Sequence, residues 1–283
     1  MTAERTRLRR LLGTEVGQVH DLGSSHSWTL HRASLADGRD VFVKAAQDRA
    51  GVFAAEAAGL RWLGEAGSGT PVPDVLAADD HMLVLPWLPS APPSREAAER
   101  LGRELAALHT GNRPAAYGAP WDGYIADLPL DNTLDDRRWP AWYAERRLEP
   151  FLRLGARHLP SGDVRLVERV MADIETLAGP LEAPSRIHGD LWSGNVLWTG
   201  DRALLVDPAA HGGHRETDLA MMALFGTPHL DTVLGAYDEA APLADGWRSR
   251  VPLHQLHPLL VHVALFGGSY RTSLAEAARA CLG

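Results

Sequence analysis

Between Ile187 and Asn195 the chain reads Ile-His-Gly-Asp-Leu-Trp-Ser-Gly-Asn, which sets a carboxylate, Asp190, five positions ahead of an amide, Asn195, on one short turn-rich segment. The next apolar run, Ala203 to Val206, reads as a buried strand and delivers a second carboxylate, Asp207, followed by Pro208. Two carboxylates and an amide in this order suit phosphoryl transfer. One carboxylate orients and deprotonates the attacking hydroxyl, while the amide and the other carboxylate hold Mg2+ against nucleotide phosphates. The expected roles are base for Asp190 and metal ligands for Asn195 and Asp207. Taken alone, Asp, Ser, Gly and Asn are also ordinary turn residues, so the rest of the chain has to supply the partners such chemistry needs.

A cation is the first of these. In Val41-Phe42-Val43-Lys44 strand alternation puts Lys44 on the same side as Phe42. A helix expected over Ala50 to Ala66 repeats Phe53, Glu56, Leu60 and Leu63 at three- and four-residue steps, so Glu56 lies within an apolar stripe. A carboxylate on a buried face needs a partner, and Lys44 is the economical one. A strand lysine paired to a helix glutamate is the device by which kinases position nucleotide phosphates.

Stepping outward, residues 3 to 13 form a short charged helix, and Val16 to Leu22, Ser27 to Leu35 and Asp40 to Ala45 predict three antiparallel strands with Asp37-Gly38 as a hairpin turn. The intervening Gly23-Ser24-Ser25-His26 is either a phosphate-covering loop or an ordinary hairpin. Pro71 to Ala78 and His81 to Leu88 supply two more strands. The second runs into Leu85-Pro86-Trp87-Leu88-Pro89, expected as a hinge that offers adenine the Pro86 carbonyl and the Leu88 N–H, or else as a plain linker. From Ser94 the pattern is helical: Ala98, Leu101, Leu105 and Leu108 stripe a helix stopped by Gly111. Residues 112 to 136 read as a long loop, followed by helices over Arg138 to Glu149 and Asp163 to Ala178, then Glu216 to Phe225 and a late buried helix through Leu256 to Phe266. His254, His257 and His262 in that last helix lack the converging set that zinc requires.

Composition narrows the class. With 45% hydrophobic and 23% charged residues over 283 positions, the chain is globular and long enough for two lobes. A formal net charge of -8 argues against nucleic acid or an anionic membrane as partner. The one cysteine, Cys281, permits no intramolecular disulfide. No apolar run reaches membrane-spanning length and the N-terminal apolar stretch is too short for a signal peptide, so a cytoplasmic protein is expected.

Assembled in order, these segments resemble the fructosamine (ketosamine) kinase family, a branch of the aminoglycoside-phosphotransferase-like, protein-kinase-like fold. The resemblance rests on Val41-Phe42-Val43-Lys44, the Glu56 helix, Asp136-Arg137-Arg138-Trp139-Pro140 with Arg147-Leu148, His188 to Asn195, Asp207 to Met221 and Phe266-Gly267-Gly268-Ser269-Tyr270. Aminoglycoside and choline kinases share the Asp and Asn but seldom combine Asp-Leu-Trp with Asp-Pro-Ala. It implies an α+β, bilobal fold: a five-stranded antiparallel N-lobe with one main helix over residues 1–88, and a larger, mostly helical C-lobe over residues 89–283. It also implies ATP- and Mg2+-dependent phosphorylation of the 3-hydroxyl of a ketosamine, either a small molecule or a glycated lysine on protein. Lys44 with Glu56 would clamp the phosphates, and Asp218 with His188 would brace the catalytic loop. Trp192 would pack on the sugar, with His214 and Glu216 near the acceptor and Glu216, Asp135 or Asp136 as candidates to meet the ketosamine nitrogen. One departure is Pro86, where the family more usually carries an acidic residue. Two other functions compete: a kinase of the same fold for an aminoglycoside, choline-like alcohol or free sugar, and a nucleotide-binding pseudokinase, against which stands the intact set Lys44, Glu56, Asp190, Asn195 and Asp207. The sequence sets no oligomeric state.

Overall fold

Alternation in the third strand explains how the first sheet acquires two coats. The computed structural model describes residues 2–25, 27–47 and 51–283; His26 and Ala50, assigned above to a loop and a helix start, lie outside the described residues. Strands β1 (Val16–Ser25), β2 (Trp28–Leu35), β3 (Asp40–Ala45), β4 (Ala77–Asp79) and β5 (Met82–Pro86) form one antiparallel sheet in the order β1-β2-β3-β5-β4. Val41 and Val43 join Ala33, Leu35 and Leu8 of helix α1 (Thr2–Leu12) on one face. Phe42 packs on the other face with Leu83 and Leu85 against Phe53 and Leu60 of helix α2 (Val52–Gly64). Lys44 follows Phe42 by two residues, so the period of two carries it beneath α2.

Three boundaries differ from the sequence reading, each for a backbone reason. Gly23, Ser24 and Ser25 continue β1 and pair with Leu30, Thr29 and Trp28, so they make a tight hairpin arm and no separate loop. Residues 71–76 are not strand: Pro71 and Pro73 have no N–H for a ladder, and the Pro71 carbonyl instead accepts from Leu205 N–H at 2.6 Å. The expected strand through Leu88 ends at Pro86.

The C-terminal part is built on helices α3 (Arg95–Thr110), α4 (Trp139–Tyr143), α5 (Glu149–Gly155), α6 (Ser161–Ala172), α7 (Ile174–Leu177), α8 (Arg215–Leu224), α9 (Leu230–Ala240), α10 (Trp247–Phe266) and α11 (Arg271–Leu282). Ser94 caps α3, its hydroxyl accepting from Ala97 N–H at 3.1 Å. The expected long loop holds a small hairpin, β6 (Gly123–Ile125) with β7 (Leu128–Leu130). The expected 163–178 helix breaks at Asp173, and the expected 138–149 helix continues through a π turn, Ala144–Leu148, into α5. Pro150 follows that turn and cannot donate to the Arg146 carbonyl; Arg147 Nη1 donates to it instead, at 3.2 Å. Pro258 likewise cannot donate to the His254 carbonyl, and there the Tyr143 hydroxyl enters the ladder, accepting from His257 N–H at 3.2 Å and lying 3.0 Å from the Leu253 and 3.3 Å from the His254 carbonyl oxygen. Two further antiparallel pairs complete the fold: β8 (Ser185–Ile187) with β11 (His211–Gly213), and between them in the chain the hairpin of β9 (Val196–Trp198) with β10 (Ala203–Leu205).

Candidate active site

Those last two pairs hold the catalytic segment at both ends. It leaves β8 at Ile187, enters β9 at Val196, and is met by Asp207 directly beyond the β10 run. Gly189 sits in the turn at φ 80, where a Cβ would lie 2.4 Å from the Ala209 carbonyl oxygen, so only glycine fits. Beneath the turn, the buried carboxylate of Asp218 accepts from His188 N–H at 2.7 Å and Gly189 N–H at 2.9 Å. His109 Nε2 lies 3.0 Å from the same carboxylate, and His109 Nδ1 lies 2.9 Å from the Tyr237 hydroxyl. Burial alone would raise the Asp218 pKa, but the bonds from His109 and the backbone outweigh it and hold it low. His188 accepts at Nδ1 from Asp190 N–H, which makes Nε2 the donor to the Val206 carbonyl at 2.9 Å; burial lowers its pKa and keeps the ring neutral.

This scaffold opens on a cavity of about 570 Å³ whose lining includes Lys44, Glu56, Asp190, Asn195 and Asp207. Lys44 Nζ, itself buried, lies 2.9 and 3.0 Å from the two Glu56 oxygens and 2.5 Å from Asp207 Oδ1. Burial would lower the lysine pKa, but the two carboxylates more than reverse that. Burial and the charge of Asp207 push Glu56 up against the pull of Lys44. Asn195 Nδ2 donates to the Asp190 carbonyl at 2.8 Å and to Asp190 Oδ2 at 3.1 Å. Asp190 is pushed up to about 7, burial outweighing the bond from Asn195. Asp207 takes a left-handed backbone, φ 58, uncommon for any residue but glycine and better tolerated by Asp than by most. With its nitrogen spent on Asp190, Asn195 has its amide oxygen left for a second partner. That oxygen and the Asp207 carboxylate are hard donors of the kind Mg2+ takes, and one ammonium faces two carboxylates there, leaving a negative surplus.

The other expected site residues divide. Trp192 and Ser25 line the cavity, and Trp192 is 41% exposed, lying over Gly194 and meeting Phe225 edge-on at 6.3 Å, so it is not core filling. Gly23 and Ser24 do not line it, being taken up in β1. Neither do Pro86 and Leu88; the Pro86 segment is tied to β3, with Trp87 N–H donating to the Asp40 carbonyl. His214 and Glu216 are also away from it, which corrects their expected place beside the acceptor. His214 caps α8, its Nδ1 accepting from Glu216 N–H, and the Glu216 carboxylate is gripped by Arg250 at 2.6 and 2.9 Å. His214, Glu216 and His254 bring donor atoms within 4.8 Å of one another, yet the Arg250 guanidinium already supplies the cation. Asp135 is paired with Arg137. Trp121 and Tyr124 of the long 112–136 loop line the cavity, whereas nothing in the sequence pairs His109 with Asp218, 109 residues away, or places Trp28, Phe225, His262, Phe266 and Tyr270 on that lining. Only the Phe266 to Tyr270 motif and the histidine spacing hinted at any of them.

A sequence model described as fructosamine kinase matches residues 5–283. The chain belongs to the fructosamine kinase family. It is 34% identical over 261 residues to the probable ketoamine kinase YniA of Escherichia coli (strain K12), covering 90% of this chain and 86% of that one. A probable ketoamine kinase of Synechocystis is 35% identical over 260 residues, 88% and 85% of the two chains. A crystal structure of a candidate fructosamine-3-kinase from Thermobifida fusca superposes with a TM-score of 0.96 at 55% identity, covering 100% of this chain and 99% of that one. At 14% identity, an aminoglycoside phosphotransferase crystallised with ADP and hygromycin B still gives a TM-score of 0.67 over 99% of each chain, which extends the shared fold alone. Family membership makes this chain a phosphotransferase acting on a hydroxyl group, on the bilobal kinase-like fold. Among the described residues no helix is long and apolar enough to cross a membrane.

Proposed function

We propose that this family member transfers the γ-phosphoryl group of ATP, with Mg2+, to the 3-hydroxyl of ketosamines, sugar adducts of amines that include glycated lysine. The observation that carries the reading is a single cavity lined both by the Lys44–Glu56 pair with Asp190, Asn195 and Asp207 and by the exposed ring of Trp192. Lys44, oriented by Glu56, would hold the phosphates; Asp190, oriented by Asn195, would accept the proton of the attacking hydroxyl; the Trp192 indole would cover the apolar face of the sugar. Mg2+ held by Asn195 and Asp207 would neutralise charge on the phosphates. Residues 1–88 serve as the nucleotide lobe and 89–283 as the catalytic and acceptor lobe in this reading, and a cytoplasmic setting belongs to it.

A sugar hydroxyl is a poor nucleophile, so alignment supplies much of the rate and a positioned base contributes roughly 100- to 10,000-fold. The test is ADP release with ATP and Mg2+ against a fructosyl-lysine analogue, a ribulosyl-lysine analogue, an aminoglycoside and choline. Turnover confined to the ketosamines is expected, with Asp190→Asn reducing it by about that factor while the protein stays folded. Turnover on choline or the aminoglycoside alone, or near-wild-type rates in the variant, overturns the reading.

A further inference from the structure

The cavity has a second wall that phosphoryl transfer leaves unused. Phe225 just past α8, His262 and Phe266 near the end of α10, and Tyr270 in the turn beyond it all line it. His262 lies 4.9 Å from Phe225, 4.6 Å from Tyr270 and 5.6 Å from Phe266 between ring centroids. His262 and Phe266 are one helical turn apart and share a face. A core cluster would be buried, yet Phe266 is 55% exposed, so the wall is open at its outer edge.

What it receives follows from the charges around it. A ketosamine nitrogen is a protonated amine, and a cation leaving water needs a carboxylate or the face of an aromatic ring. The carboxylates among the lining residues are Glu56, Asp190 and Asp207. Lys44 engages the first and third, and Asp190 is committed to the hydroxyl. Glu216, Asp135 and Asp136, the acids considered from sequence, do not line the cavity. Aromatic faces remain, and His262 adds a lone pair. Its Nδ1 lies 2.7 Å from the Pro258 carbonyl oxygen, to which it donates, leaving the other ring nitrogen as an acceptor. Burial pushes its pKa down, which keeps the ring neutral.

Resting on the kinase reading above, we propose that Phe225, His262, Phe266 and Tyr270 form the subsite for the amine arm of the acceptor. The ammonium lies against the aromatic faces and the His262 lone pair, and the alkyl carbons of the arm pack along Phe266 and Tyr270. Such a wall, with no cation of its own, selects amines carrying an alkyl chain and disfavours those carrying a carboxylate next to the nitrogen, whose desolvated anion finds no partner. The preferred class is therefore the side-chain amine adduct over the α-amino acid adduct.

The experiment measures KM and kcat for three probes: the fructose adduct of butylamine, its ether isostere with oxygen in place of the amine, and the fructose adduct of glycine. The wild type should favour the butylamine adduct over both others. Phe266→Ala, at a half-exposed position, and Tyr270→Ala should raise KM for that adduct about 2- to 30-fold, leave KM for ATP in place and raise KM for the ether by a smaller factor, the share due to the alkyl arm that both probes carry. Equal rises on adduct and ether, or no change on any probe, overturn the subsite and leave the kinase intact. A wild type inert toward every ketosamine overturns the functional reading and the subsite with it, and that outcome shows before any variant is made.

Discussion

Two of the buried ion pairs in this molecule, Arg250–Glu216 and Lys44–Glu56, are built to opposite ends. Glu216 receives two bonds from the Arg250 guanidinium and has His254 3.4 Å away. Burial would push its pKa up, but His254 and Arg250 outweigh that and hold it at about 2. Glu56 receives one ammonium, and that ammonium is shared with Asp207; burial and the second carboxylate push it up. The first pair is neutralised on site and does not line the site cavity. The second is left short of positive charge and opens onto one. Two glutamates of similar burial thus separate into a structural member and a member of a binding site by how many carboxylates compete for the available cation.

Exchanging the damage between the pairs is the way to break that comparison. The largest effect is expected from Arg250→Met, which strands a buried carboxylate and should cost about 3–5 kcal/mol of stability in urea denaturation, while the folded fraction keeps its turnover. An unchanged midpoint would show that Arg250 does not neutralise Glu216. Lys44→Met should do the reverse, lowering kcat/KM by about 100- to 1,000-fold, as losing an electrostatic contact to the transition state does, with the smaller loss of stability. If its melting temperature falls further than that of the Arg250 variant, the two pairs are not distinguished in this way. The pH dependence sharpens the contrast further. Glu216 has a folded pKa depressed from 4.5 to about 2, so its contribution is present above 4.5 and is lost as the pH falls through the folded value. Stability should decline by about 3 kcal/mol across that window, and Glu216→Gln should flatten that part of the acid titration of stability; an identical slope in wild type and variant would assign it to other carboxylates.

How much of this was legible in the sequence depends on the distance a signal must cover. Lys44 and Glu56 are 12 residues apart, and the periods of one strand and one helix suffice to predict their meeting. Asp190 and Asn195 share a single turn. The hairpin of Gly23 to Ser25 was ambiguous, because glycine and serine suit a phosphate loop and a strand end equally. In residues 71–76 the apolar valines and leucine suggest a strand, but Pro71 and Pro73 bring no N–H, and the Pro71 carbonyl goes to Leu205 of β10. The chain neighbourhood of Glu216 suggests a place near the acceptor, whereas helix α8 turns it toward Arg250 on α10. The aromatic wall joins Phe225 to residues on α10 and beyond, and no local pattern announces that several helices will converge on one rim. Tertiary packing decided those positions.

The hydroxyl of Tyr143 in the α10 ladder also bears on how this chain can drift. Pro258 removes the backbone donor that the His254 carbonyl would receive, and the Tyr143 hydroxyl, far away in sequence, lies 3.3 Å from that carbonyl oxygen. A chain that acquired the proline first would carry an unsatisfied turn, and one that lost the tyrosine first would orphan it again. The two positions are therefore energetically coupled: a phenylalanine at 143 should be tolerated better in a chain whose residue 258 has regained an N–H than in this one, so the order in which two such mutations arrive bears on whether the intermediate folds.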